Sequence, residues 1–220
     1  MGKEIESFLF RKLKSPISVQ IEVTTRCNGN CIYCYNYWKY KKNNSQNFDL
    51  SIEKIPDIVD ELKMNEVLSI TITGGEPLLH EKATTLLMEK LEESNIKYSL
   101  NSNLMNLTKN LADDFVSLGL QSVLTSLSSF DPQVHDFISG KQGNFKKVIK
   151  GIEIAQRSGL SVIVNMVLTK FNEKDVYKTA KFLYNLGIKN FTVTKSSPPL
   201  GLNQETYKQF KPTKKALVNA

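Results

Sequence analysis

The chain has 220 residues, 40% of them hydrophobic, enough to bury a sizeable core within one domain. Its net charge of +7 comes from 29 Lys and Arg scattered among 22 Asp and Glu; the one concentrated run, Trp38-Lys39-Tyr40-Lys41-Lys42, reads as a solvated loop face, so nucleic acid is not an expected partner. No apolar run approaches the roughly 18 residues of a membrane span, and Met1 to Ser7 holds no apolar signal core, so a soluble, cytoplasmic protein that meets no membrane is expected.

In chain order, Ile17 to Val23 reads as a strand and Ser51 to Met64 as a helix, with Ile52, Ile55, Ile58, Val59 and Leu62 at helical spacing. Val67 to Thr73 is a strand, Leu78 to Ser94 a helix, Ile96 to Asn101 a strand, and Leu107 to Leu118 a helix stopped by Gly119. Val123 to Leu127, Leu160 to Leu168 and Phe191 to Thr194 complete six strands, with helices at Asn144 to Ser158 and Glu173 to Leu186. Strands that alternate with helices must travel back past the sheet before pairing again, which predicts an α/β fold: a parallel six-stranded sheet in a partial (β/α)6 TIM-like barrel. The reading divides the chain into an N-terminal segment 1–16, a core 17–200 and a polar tail 201–220, expected to fray or to begin an extension.

Such sheets carry their chemistry at the carboxyl ends of the strands, and the unusual residues fall there. The three cysteines, Cys27, Cys31 and Cys34, lie on one loop after the first strand, spaced for one short segment to wrap a metal centre. A closed zinc or four-cysteine site would need a fourth donor, for which His80 is the better placed of two histidines; an iron–sulfur cubane on three thiolates instead leaves one iron open to a ligand. A structural zinc loop or three unrelated buried thiols are the plainer alternatives.

Cys27, Cys31 and Cys34, with Tyr33 before the last of them, and Gly74-Gly75-Glu76-Pro77 after the second strand resemble the radical S-adenosylmethionine (radical SAM) enzymes, from about Val19 to Pro198. The resemblance implies a [4Fe-4S] cluster whose open iron is chelated by the amino and carboxylate groups of S-adenosylmethionine. An electron from a donor such as flavodoxin or ferredoxin then yields methionine and a 5′-deoxyadenosyl radical that takes a hydrogen atom from substrate.

It further implies that Gly74 and Gly75 let the backbone approach that ligand, that Glu76 faces its amino group, and that Tyr33 lies by the adenine. Ser126 matches a ribose contact, Asn101 and Asn103 a polar strand-end segment, and Asn165 and Ser197 contacts near the adenosine. Where many relatives place an arginine for the methionine carboxylate, this chain has Ser139, Gly140 and Lys141, so either Lys141 supplies a point charge or the contact is lost.

Within the family, Cys34-Tyr35-Asn36 and His135-Asp136 resemble the peptide-modifying and maturase (SPASM-type) branch, without its cysteine-rich C-terminal extension, which implies a peptide or protein substrate. Enzymes that rearrange GTP in molybdopterin synthesis are a second resemblance; they grip phosphates with basic residues where this chain has Gln20, Thr71 and Ile163. A metal- or cluster-binding sensor without catalysis is the remaining alternative.

Overall fold

Six short β-branched segments pair in the order in which they occur, β1 (Ser18–Glu22), β2 (Ser69–Thr73), β3 (Lys97–Asn101), β4 (Ser122–Ser126), β5 (Ser161–Leu168) and β6 (Asn190–Lys195), every neighbouring pair parallel. This computed structural model describes residues 15–36, 48–198 and 204–219. The basic run Trp38 to Lys42, most of the 1–16 segment and Pro199 lie outside the described residues. Sequential parallel pairing produces the partial (β/α)6 barrel expected from the alternation.

The helices are α1 (Ile55–Met64), α2 (Glu81–Glu93), α3 (Lys109–Ser117), α4 (Pro132–Ser139), α5 (Asn144–Arg157) and α6 (Val176–Asn185). Alternation along the strands sorts their faces. Val162, Val164, Met166 and Leu168 of β5 are buried, whereas Ile163, Asn165 and Val167 are half-buried on the opposite, concave side. Ile70 and Ile72 of β2, Leu100 of β3 and Val123 of β4 join the first face to Leu87, Leu91, Phe115 and Ile152 of the helices in one apolar core. Gly151 lets α5 close on the neighbouring loop, since a Cβ there would lie 2.2 Å from Leu104 O.

Two features depart from the sequence reading. Helix α4 was not expected, although Asp131 caps it by accepting from Gln133 N–H (2.8 Å), Pro132 opens it and Gly140 ends it in the left-handed conformation. The tail, read as a frayed end or the start of an extension, is ordered over the described residues and forms α7 (Gln204–Lys208) and α8 (Lys214–Asn219). Buried Tyr207 and Phe210 anchor it, the Tyr207 hydroxyl donating to Ser196 O (2.7 Å) and Lys170 N–H to Phe210 O (3.0 Å). Among the described residues no helix is long and apolar enough to cross a membrane.

Candidate active site

Beyond β1 the chain enters the cysteine loop, and neighbouring elements hold that loop by its backbone. On the β2 side, Gly75 N–H donates to Thr24 O (2.6 Å) and Glu76 N–H to Arg26 O (2.7 Å), while the Asn36 amide donates to Gly74 O (3.2 Å). A Cβ on Gly75 would lie 2.1 Å from Arg26 O, and one on Gly74, at φ 144°, would lie 2.4 Å from Thr24 O. The glycine pair therefore admits the chain's own backbone at close range. Arg26 completes this side by donating from Nε to Asp49 Oδ1 (3.0 Å) and pairing Nη2 with Oδ2 (2.9 Å). The Thr24 hydroxyl, followed by Arg26, holds the Asp49 carboxyl below its ordinary range.

On the β3 side, the Asn103 amide donates to Asn28 Oδ1 (2.7 Å), and Asn28 in turn donates to Asn106 Oδ1 (3.2 Å). On the third side stands α4, where Asn30 N–H donates to Ser139 O (2.9 Å) and Ile32 N–H to Ile138 O (3.0 Å). Gly140, at φ 74°, packs so closely that a Cβ would lie 2.3 Å from Asn30 O. The sequence reading missed Asn28, Asn36 and the α4 carbonyls; the Asp-Pro start and Gly140 stop were the signal that would have found the helix.

Glu76, 1% exposed, is buried at the strand ends. Its Oε1 accepts from the Ser102 hydroxyl (2.6 Å) and Leu78 N–H (3.1 Å), and its Oε2 from Asn103 N–H (2.8 Å). Burial pushes the carboxyl above its ordinary range, and these donors oppose the shift. Glu76 thus ties β2 to the turn after β3, a role that Ser102 shares and that the motif alone did not reveal.

Within the loop, Cys27 is exposed and Cys31 and Cys34 are half-buried. Gly29 faces two of the sulfurs, since a Cβ there would come 3.8 Å from both Cys27 Sγ and Cys31 Sγ. Three thiols on one clamped loop, two of them flanking a residue without a side chain, fit the donor set of an iron–sulfur cluster. Among the described residues no three His, Cys, Asp or Glu groups converge on a single-ion position; a cubane takes each thiolate at a separate iron and does not require that convergence. His80, the fourth donor of the zinc alternative, has its Nε2 2.9 Å from Leu50 O.

The Tyr33 phenol points to the end of β4, with Ser128, Ser126 and Cys31 as polar neighbours; burial and the Cys31 charge push it above the usual phenol range. Ser126 is half-buried and in register with Asn165, which bonds to both the Thr192 (3.1 Å) and Thr194 (3.2 Å) hydroxyls of β6. Asn101 is half-buried at the end of β3. Lys141 is exposed just past α4, whereas Ser139 is buried, its hydroxyl accepting from the Asn144 amide (3.0 Å). Ser197 is exposed beyond the edge strand β6 and is not drawn into the loop cluster.

The Radical SAM superfamily profile matches residues 21–183. The GTP 3',8-cyclase of Rhizobium leguminosarum bv. trifolii is 27% identical over 203 residues, spanning 90% of this chain and 56% of that protein. The GTP 3',8-cyclase of Aquifex aeolicus is 30% identical over 183 residues, spanning 82% and 57%. This chain thus spans about half the length of the curated relatives it matches. Among solved structures, Streptococcus suis SuiB bound to S-adenosylmethionine superposes with a TM-score of 0.75 at 21% identity, over 95% of this chain and 46% of that one. The anSMEcpe structure with bound AdoMet gives 0.68 at 22% identity, over 83% and 53%.

Proposed function

The chain belongs to the radical SAM superfamily, an enzyme family built on a [4Fe-4S] cluster and S-adenosylmethionine, and from that premise we propose that Cys27, Cys31 and Cys34 hold the cluster at the mouth of this barrel. The observation that carries the proposal is the clamped cysteine loop: three thiols whose backbone is fixed by Gly75, Glu76, Ser139 and Ile138 at the carboxyl ends of parallel strands. When bound, cluster and S-adenosylmethionine together supply, on arrival of one electron from a flavodoxin- or ferredoxin-like donor, a 5′-deoxyadenosyl radical that takes a hydrogen atom from substrate and leaves methionine.

The chain's own residues position and enclose. Gly74 and Gly75 fix the loop against β2, so the sulfurs are set before any ligand arrives. Ser126 and Asn165, on β4 and β5, are assigned contacts to the nucleoside and Tyr33 a position beside the adenine, while Asn101 and Asn103 adjoin them from β3. Lys141 is the cation nearest in sequence to the Ser139–Gly140 contact with the loop and is assigned the methionine carboxylate. Ser197 is retained as a peripheral contact.

For the substrate, the reading is a peptide or protein, or an intermediate of enzyme or cofactor maturation. Sequence likeness to GTP 3',8-cyclases supports a second reading, a nucleotide precursor in cofactor synthesis. Against it, Gln20 and Thr71 are register partners and Ile163 stands on β5, and none can neutralise a triphosphate.

Anaerobic reconstitution with iron and sulfide, followed by dithionite and S-adenosylmethionine, tests the radical chemistry by chromatography of 5′-deoxyadenosine. The nucleoside should form with the native chain and not with a variant in which all three cysteines are changed to Ala. Equal yields from the two proteins, or none from either, would contradict the proposal.

A further inference from the structure

Strand alternation and register put one continuous row of side chains on the concave side of the sheet. Val19 and Ile21 pack on the apolar core, so Gln20 and Glu22 face the other way. Glu22 pairs with Thr73, Thr71 with Ser99, Asn101 with Leu124, Ser126 with Asn165, Asn165 with Thr192, and Val167 with Thr194. Over the carboxyl-terminal half of the strands this face consists of hydroxyls, amides and a few aliphatic groups, with one formal charge, the Glu22 carboxylate. Lys97 shares the alternation but begins β3, four residues before Asn101, roughly 13 Å toward the opposite end of the sheet at about 3.3 Å per residue.

The carboxylate also lies beside the cysteine loop. The Tyr35 phenol, one residue past Cys34, has Thr73, Glu22 and Cys34 as its neighbours. Among the described residues Glu22 enters no ion pair, and burial raises its carboxyl above the ordinary range. A partly desolvated carboxylate without a cation gains from an incoming positive group and repels an incoming phosphate.

We propose that Glu22 is the specificity-determining residue of the substrate face and that the substrate presents a protonated nitrogen, an ammonium or guanidinium, to it. The inference rests on the radical SAM reading for what is done to that substrate, and it deepens that reading by naming the group recognised. A lysine- or arginine-bearing peptide fits this chemistry, and a nucleoside triphosphate does not, because among the described residues the carboxyl-terminal half of this face holds an anion and no cation. Its register partner Thr73, with Thr71 on the same face, can satisfy amide groups of a substrate backbone without imposing further charge.

The test is equilibrium binding to the full chain, which requires no turnover and so separates this inference from the radical chemistry. Probes are glycine–serine nonapeptides with a central lysine, norleucine or glutamate, and magnesium GTP, titrated against the native chain, Glu22→Gln and Glu22→Lys. Thermal melting of each variant shows that it is folded. The native chain should bind the lysine peptide at least about tenfold more tightly than the norleucine peptide, equivalent to about 1.4 kcal/mol. That preference should vanish in E22Q and turn toward the glutamate peptide in E22K. Equal affinity of the native chain for the lysine and norleucine peptides overturns the proposal. So does tight GTP binding that depends on Glu22, since a carboxylate can also accept from the guanine ring.

Discussion

Glu76 illustrates how a residue can be legible while its task is not. The Gly74-Gly75-Glu76 segment stood out in the sequence, but the partners that give it meaning, Ser102 and the Thr24 to Arg26 backbone, are distant in the chain and carry no motif. A buried carboxylate is stable only while its lone pairs are engaged. Ser102 is doubly used, because its hydroxyl donates to Glu76 and also accepts from Leu104 N–H (3.0 Å). Ser102→Ala should therefore cost about 1–3 kcal/mol of stability, read as a lower urea midpoint, since it strips a donor from a buried carboxylate and an acceptor from a buried amide. An unchanged midpoint would show that Glu76 does not depend on that bond.

Among the elements, α4 carries consequences that its eight residues conceal. Short helices give little periodic signal, and this one was missed although its cap and stop residues were present. It supplies the carbonyls that hold Asn30 and Ile32, and it is fastened to the end of β4 by His135, 2% exposed, whose Nδ1 accepts from Ser128 N–H (3.1 Å). Burial lowers the His135 pKa from 6.5 to about 4. The unfolded chain therefore takes up a proton that the folded chain refuses. Stability is fully retained above pH 6.5 and declines as the pH falls toward about 4, by up to about 3 kcal/mol. Denaturation midpoints between pH 7 and 4.5 should show this fall in the native chain and a shallower one in His135→Gln, whose amide oxygen can still accept from Ser128. Parallel profiles would contradict it. Order in the tail was hidden for a different reason: its polar composition conceals two anchors, Tyr207 and Phe210, whose partners Ser196, just past β6, and Lys170, just past β5, only the fold brings near.

For the whole molecule, the parallel six-stranded sheet was legible because strand and helix alternation leaves few other ways to pair, and placement of the cysteines after β1 followed from it. The orientation of the site was less legible. Which face of each strand is concave depends on where the helices pack, so the row from Glu22 to Thr192 emerges only from register and burial. The central claim is that three thiolates hold a cluster with one iron left for S-adenosylmethionine. Its most direct measurement is the electron paramagnetic resonance spectrum of the reconstituted, dithionite-reduced protein with and without S-adenosylmethionine. The account predicts a [4Fe-4S]⁺ signal that changes shape and g-values when S-adenosylmethionine is added; a signal unaltered by it, or no cluster signal, would contradict the claim.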